Sequence, residues 1–242
     1  MKKRLIGYIT AIMMLLFCVP VQVFAEDVEP DVNNELIDVE PDVELMTEVY
    51  KYGELSYIIN DNDTITIVGC DANVTIVTIP ETIDERRVTE IGDHAFWGRI
   101  DLTEVIIPSS VNKIGDYAFE LCRGLTYIEI PSSILSIGNS SFANCDKLQT
   151  MELPDTVAYI GVAAFANCAG LESIVLPSNI NQINAGVFAH CTKLSSITIP
   201  STVTIIDRTA FEECIGLNAI YIPPSVAYIA SDAFSKCENL IS

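Results

Sequence analysis

The sequence predicts an α/β solenoid of stacked 23-residue coils, with a parallel β-sheet on one face and short helical or turn segments on the other. Three observations carry this reading. Pro108, Pro131, Pro154, Pro177, Pro200 and Pro223 are evenly spaced at 23 residues. Phe96, Phe119, Phe142, Phe165, Phe188, Phe211 and Phe234 keep that period, and so do Leu102, Leu125, Leu148, Leu171, Leu194, Leu217 and Leu240. A fixed period of about 20–50 residues marks units that bury their apolar faces only by stacking on one another.

The chain begins with a different kind of segment. Lys2, Lys3 and Arg4 precede an apolar run from Leu5 to Val19, and Val23-Phe24-Ala25 offers a small-residue cleavage site. Residues 1–25 therefore read as a secretory signal cleaved after Ala25. An uncleaved anchor is the alternative, weakened by Pro20 and Gln22. Bulky Leu16 and Phe17 argue against Cys18 as a lipid-bearing residue. Residues 26–48 carry ten acids and no base. With low aromatic content and repeated DVEPDV, they read as a disordered acidic linker. A calcium-binding tail would need a loop with a fixed Gly turn and a closing Glu, which is missing.

Residues 49–73 change to strand character. Leu55–Ile59 and Thr64–Val68 flank Asn60-Asp61-Asn62-Asp63, a turn-forming cluster, so the segment predicts an N-terminal β-hairpin cap. Such a hairpin would cover the apolar end of the first coil. The solenoid proper is expected over residues 74–242, starting with the strand Val74–Pro80. Pro80 lies 28 residues before Pro108. The five extra residues fall within Glu81–Glu90 and are expected in a surface loop that carries Arg86 and Arg87.

One unit, Pro108–Ile130, shows each task. In L-x-x-I-x-I-P, Ile128 and Ile130 face inward while Glu129 faces outward. Proline ends the strand because it has no N–H for the ladder. The position after the next isoleucine is Gly92, Gly115, Gly138, Gly161, Asn184, Asp207 and Ala230. Gly, Asn and Asp tolerate φ > 0, so this position is expected to be left-handed, with Ala230 strained or differently turned. Asp93, Asp116, Asn139 or Ser231 could then cap about two helical turns carrying the inward Phe.

At this point the residues resemble a known family. The pattern C-x-x-L-x-x-I-x-I-P-x-x-V-x-x-I-G-x-x-A-F-x-x, seen at 122–144 as CRGLTYIEIPSSILSIGNSSFAN, is similar to the leucine-rich repeats of BspA-like bacterial surface proteins. The resemblance runs from about Val49 to the C-terminus. It implies a secreted or cell-surface protein engaged in adhesion and protein binding, although fold alone does not fix function.

Composition narrows the partners. The formal net charge is −20, and −23 once the three bases of the leader are removed. That argues against nucleic acid, which needs clustered Lys and Arg. No second run of membrane-spanning length follows the leader. Cys122, Cys145, Cys168, Cys191, Cys214 and Cys237 form a column spaced by one coil, unlike a zinc or redox C-x-x-C. It reads as buried thiols, with inter-coil disulfides as the alternative that export would permit. His94 and His190 occupy slots where Tyr117, Ser140 or Ala189 stand in neighbouring units. Neither can be assigned a nucleophile and an orienting third group. Carboxylates are scattered without glycosidase spacing, and phosphate loops are absent. The chain is read as a non-enzyme without catalytic, cofactor or metal residues.

The outward strand columns are the candidate protein-binding surface. One reads Ile76, Glu104, Tyr127, Thr150, Ser173, Ser196, Ala219, and the other Thr78, Ile106, Glu129, Glu152, Val175, Thr198, Tyr221. Glu104, Tyr127, Glu129, Glu152 and Tyr221 are the named site residues. A host, neighbouring-cell or matrix protein is the expected partner; a purely structural spacer is the alternative. Because Leu240-Ile241-Ser242 only begins another L-x-x-I strand, two expectations follow: the chain is part of a longer protein, or it self-associates through that end.

Overall fold

The computed structural model describes residues 47–241, and the compact unit begins at Tyr50. The signal reading and nearly all of the acidic segment lie outside the described residues. Tyr50–Tyr52 (β1), Leu55–Ile59 (β2) and Ile65–Cys70 (β3) form an antiparallel meander. Asn60 and Asp63 close the β2–β3 turn, with Asp63 left-handed at φ 61°. β3 then pairs in parallel with the solenoid strand Arg86–Ile91 (β6).

Strands line two sides of each coil. The first side holds the L-x-x-I-x-I strands Ile76–Thr78 (β4), Glu104–Ile106 (β7), Tyr127–Ile128 (β9), Thr150–Glu152 (β11), Ser173–Val175 (β13) and Ser196–Ile197 (β15). They pair in parallel as β4-β7-β9 and β11-β13-β15. The second side continues from β6 through Lys113–Ile114 (β8), Ser136–Ile137 (β10) and Tyr159–Ile160 (β12). Gln182–Ile183 (β14), Ile205–Ile206 (β16) and Tyr228–Ile229 (β17) form a separate ladder on that side. Every register is 23 residues from β7 onward, as in Glu104↔Tyr127 and Ser136↔Tyr159. The repeat thus gives two parallel ladders where one was expected.

The five extra residues of the first coil also differ from expectation. Thr82–Ile83 (β5) pairs antiparallel with β6, and the turn residues Asp84 and Glu85 are both left-handed, at φ 48° and 68°. Two left-handed residues are what a tight two-residue hairpin needs. Ile83 and Val88 are buried beneath it. Arg86 is tied to Asp63 by a 2.5 Å ion pair, so only Arg87 of the basic pair is exposed.

The third side corrects the α/β class: among the described residues there is no helix. Its turn residues bond across coils. Phe96 N–H donates to Ala118 O at 2.7 Å, Phe119 to Ser141 O at 2.7 Å and Phe142 to Ala164 O at 2.8 Å. A helix would require those N–H groups for carbonyls four residues back. The chain turns instead at two left-handed residues, placed two before and two after each Phe. Those before Phe are His94, Tyr117, Ser140, Ala163, Gly186, Thr209 and Asp232; those after are Gly98, Leu121, Asn144, Asn167, His190, Glu213 and Lys236. His190 therefore belongs with Asn144 and Asn167 rather than with Ser140.

The glycines after isoleucine are not left-handed, contrary to expectation, and neither are Asn184, Asp207 and Ala230. A neighbouring chain imposes glycine there. A Cβ on Gly138 would lie 2.5 Å from the carbonyl carbon of Gly115, and one on Gly161 would lie 2.4 Å from Asn139 N. The cause is a staple between coils: Asp93 Oδ1 accepts Asp116 N–H at 2.8 Å, Asp116 Oδ1 accepts Asn139 N–H at 2.7 Å, and Asn139 Oδ1 accepts Val162 N–H at 2.9 Å. The expected helix caps are thus coil-to-coil links. Val162 cannot continue the series, and the next residue in the glycine slot is Asn184. There the second-side ladder opens. Gly161 N–H donates to Ile137 O at 2.9 Å, whereas Ile160 O receives the Asn184 side-chain amide at 2.6 Å.

The core is a single apolar column. Phe96, Phe119, Phe142, Phe165, Phe188 and Phe211 are fully buried, and adjacent rings stack at 5.0–5.8 Å, with the widest step at Phe165–Phe188. Proline carbonyls close the strand-ending turns, as in Val111 N–H to Pro108 O at 3.2 Å and Val157 N–H to Pro154 O at 3.0 Å. Truncating Phe142→Ala removes one ring from a gapless stack and should cost about 3–5 kcal/mol in chemical denaturation. Gly138→Ala should cost about 2 kcal/mol, and less in an Asp116→Ala background where the staple is released. A double-mutant cycle should give a coupling of about 1 kcal/mol between these sites; additivity would refute the staple as the reason for glycine.

Candidate functional site: the outward face of the first-side strands

Strand alternation places the first-side residues as the sequence implies. Val77, Val105, Ile128, Met151 and Ile174 are buried, while their neighbours along each strand point outward. Of the five named residues, Tyr127, Glu129, Glu152 and Tyr221 are exposed, and Glu104 is half-buried. Tyr127 keeps 55% of its surface accessible and Tyr221 71%. Register joins some of them: Glu104 pairs with Tyr127, and Glu152 pairs with Val175. Tyr221 stands apart, three coils beyond Glu152, and belongs to no strand of this ladder. Ile76 and Ile106, left out of the site by sequence, are 53% and 47% exposed on the same face. Their signal was their place in the outward columns, where β-branched residues also read as ordinary strand formers.

The cysteine column lies inside. The cysteines of the described residues are free, and all but Cys237 are buried. Each thiol of the column donates to the carbonyl of the preceding coil's Phe. Cys122 Sγ lies 3.0 Å from Phe96 O, Cys168 Sγ 3.1 Å from Phe142 O, and Cys237 Sγ 3.0 Å from Phe211 O. That carbonyl also accepts the backbone N–H of its own coil, as Phe119 O does from Cys122. Cysteine thus combines a small apolar volume with one weak donor where a second acceptor lone pair needs it. In the first coil Arg99 stands in this slot, and its Nη2 donates to Cys70 O at 2.9 Å. Burial pushes the thiols of Cys122, Cys168 and Cys214 up to about 12, far from the range of a nucleophile.

The two histidines serve inter-coil contacts. His94 stacks on Tyr117 at 4.8 Å. His190 Nδ1 lies 2.8 Å from Glu213 Oε2, and Glu213 Oε1 accepts from Lys236 Nζ at 2.6 Å. Lys236 first, and His190 second, hold the Glu213 carboxyl below the usual carboxylate range. These are exposed contacts between neighbouring coils, worth little individually. Among the described residues no three His, Cys, Asp or Glu side chains converge as metal ligands. A cleft of about 170 Å³ is lined by Asn73, Val74, Gly98, Arg99 and Asp101 of the first coil.

Two parallel ladders, a Phe stack and L-x-x-I strands stacked coil on coil define a leucine-rich repeat solenoid. The chain belongs to the family described as the BspA type leucine-rich repeat region, whose model matches six copies over residues 68–194 and 112–241. It is similar in structure to the T. pallidum leucine-rich repeat protein, with a TM-score of 0.76 and 29% identity over 79% of this chain and 90% of that one. A leucine-rich repeat protein from Bacteroides ovatus matches with a TM-score of 0.61 and 32% identity, over 77% of this chain and 56% of that one. No curated protein matches the chain in sequence.

The thiol assignments make an alkaline prediction. The folded-state values of Cys122, Cys168 and Cys214 are raised from about 9 to about 12. The stability linked to these protonated thiols is therefore complete below pH 9 and lost as pH rises towards 12. Chemical denaturation should show stability falling over that window, with a shallower fall in Cys168→Ala. The same thiols should resist a disulfide-exchange reagent at pH 8 and react on unfolding. Ready reaction in the folded protein would contradict their burial.

Proposed function

We propose that this chain is a non-enzymatic binding protein of the cell exterior, whose outward first-side strand face engages another protein. The observation that carries the reading is the division of labour within each coil. Pro, Leu, Phe and Cys are committed to the scaffold, whereas Glu104, Tyr127, Glu129, Glu152 and Tyr221 vary from coil to coil and remain accessible. Accessible aromatic rings beside polar groups suit protein recognition. Membership of a family of bacterial surface proteins supports the location, as does the basic and apolar leader of residues 1–25. In this reading the β1–β3 meander shields the apolar end of the first coil.

A display screen of extracellular proteins against the full chain tests it. Replacing Tyr127 and Glu129 together by Ala should weaken a partner found in this way by at least tenfold, with thermal unfolding unchanged. Unchanged affinity would remove this face from the reading, and a screen with no partner would favour the spacer.

A further inference from the structure

The first coils of the outward face carry a pattern that the later coils lack. In one column Ile76, Glu104 and Tyr127 follow each other in parallel register, and in the next Thr78 pairs with Ile106. Glu129 and Glu152 continue that second column one and two coils on. Acid therefore stands beside apolar across the ladder, at about 4.8 Å, in Ile76–Glu104–Tyr127 and in Ile106–Glu129. Along the strand, at about 6.7 Å, it does so in Glu104 with Ile106 and Tyr127 with Glu129, while Glu129 and Glu152 place two acids in succession. No outward position of either column is Lys or Arg. Beyond Glu152 the columns turn to Ser173, Ser196, Thr198 and Ala219, without charge.

A carboxylate flanked at these distances by isoleucine or tyrosine suits a long cationic side chain. The methylene stem of Lys or Arg covers the apolar neighbour while its head reaches the acid. Tyr127 adds a ring face for a cation. We infer that this half of the face, formed by Ile76, Glu104, Ile106, Tyr127, Glu129 and Glu152, docks an extended polypeptide segment in which Lys or Arg alternates with apolar residues. The inference rests on the reading of this face as the binding surface and adds the chemistry of its partner. An extended chain turns every second side chain to the same face, about 6.7 Å apart, so all its Lys or Arg residues can face the sheet at the spacing of the two columns. Each stem then lies over Ile106 or Tyr127 and each head towards Glu104 or Glu129, and the charge is complementary.

The confounding effect is the general attraction of a chain with net charge −20 for any polycation. The test therefore compares two double variants of the full chain with equal charge change. Glu129→Lys with Glu152→Lys alters the face, and Asp61→Lys with Glu85→Lys alters exposed turns away from it. The probes are a labelled nine-residue peptide alternating Lys and Val, and its Asp and Val counterpart, read by fluorescence anisotropy at about 0.15 M salt, where distant charges are screened. The face variant should lose at least tenfold in affinity for the Lys peptide and gain measurable binding of the Asp peptide. The turn variant should stay within about threefold of the native chain. Equal losses in both variants, or no binding of the Lys peptide by the native chain, overturn the inference. If either occurs while the Tyr127 and Glu129 double variant still weakens a screened partner, the face remains the binding surface and only its proposed chemistry fails.

Discussion

Each coil must present its backbone N–H and C=O groups to the next coil at the same register, because no coil satisfies them alone. That constraint fixes the 23-residue period and most of what the period contains. On the second side the bonds run from Gly115 to Ile91 and from Gly138 to Ile114; on the third they run from Phe119 to Ser141 and from Phe142 to Ala164. With backbones held in this register, one ring per coil stacks on the next, at 5.0 and 5.1 Å between centroids for Phe96–Phe119 and Phe119–Phe142. One thiol per coil then reaches the carbonyl behind it. Unpaired buried carbonyls and empty volume are both costly, so the Phe and Cys columns follow from the backbone register as much as they reinforce it.

The period, the inward and outward sense of the strands and the burial of the cysteines were legible because side-chain type reports them directly. Ile128 with Glu129, or Phe119 with Cys122, leaves little choice of side. The left-handed positions were not legible. Among the fourteen that flank Phe, only Gly98 and Gly186 are glycine, and Leu121, Ala163 and Thr209 adopt φ 61°, 55° and 53°. Bonds to the next coil hold these residues where their own preference would not. Conversely, Gly138 looked like a residue chosen for its own φ, but its constraint comes from Gly115 and Asp116, a full coil away. The run of Asp93, Asp116 and Asn139 beside Gly92, Gly115, Gly138 and Gly161 was the available signal. Reading it as helix capping failed because the N–H groups of the A-F-x-x-C segment bond across coils.

The same constraint separates scaffold from function. Residues that serve the register repeat, and those that repeat are buried or paired. The outward columns are free of it, which is why Ile76, Ile106 and Tyr127 can be large and apolar in the open. The period says nothing about what they meet, so sequence marks where recognition can occur without naming its target. The register also has a weak place. Between the coils of Ile160 and Asn184 a side-chain amide replaces a backbone donor, and the ring step there is the widest of the column. A solenoid stabilised by neighbour contacts opens most readily at its poorest interface.

Native-state hydrogen exchange read residue by residue tests this account most directly. The amides of Phe119, Phe142 and Phe188, each given to the next coil, should be protected to the same high level. The Asn184 amide, without the bond to Ile160 that Gly161 makes to Ile137, should exchange about a hundredfold faster than those of Gly161 and Asp207. Protection at Asn184 equal to that of its neighbours, or unrelated protection among the Phe amides, would contradict a structure governed by coil-to-coil register.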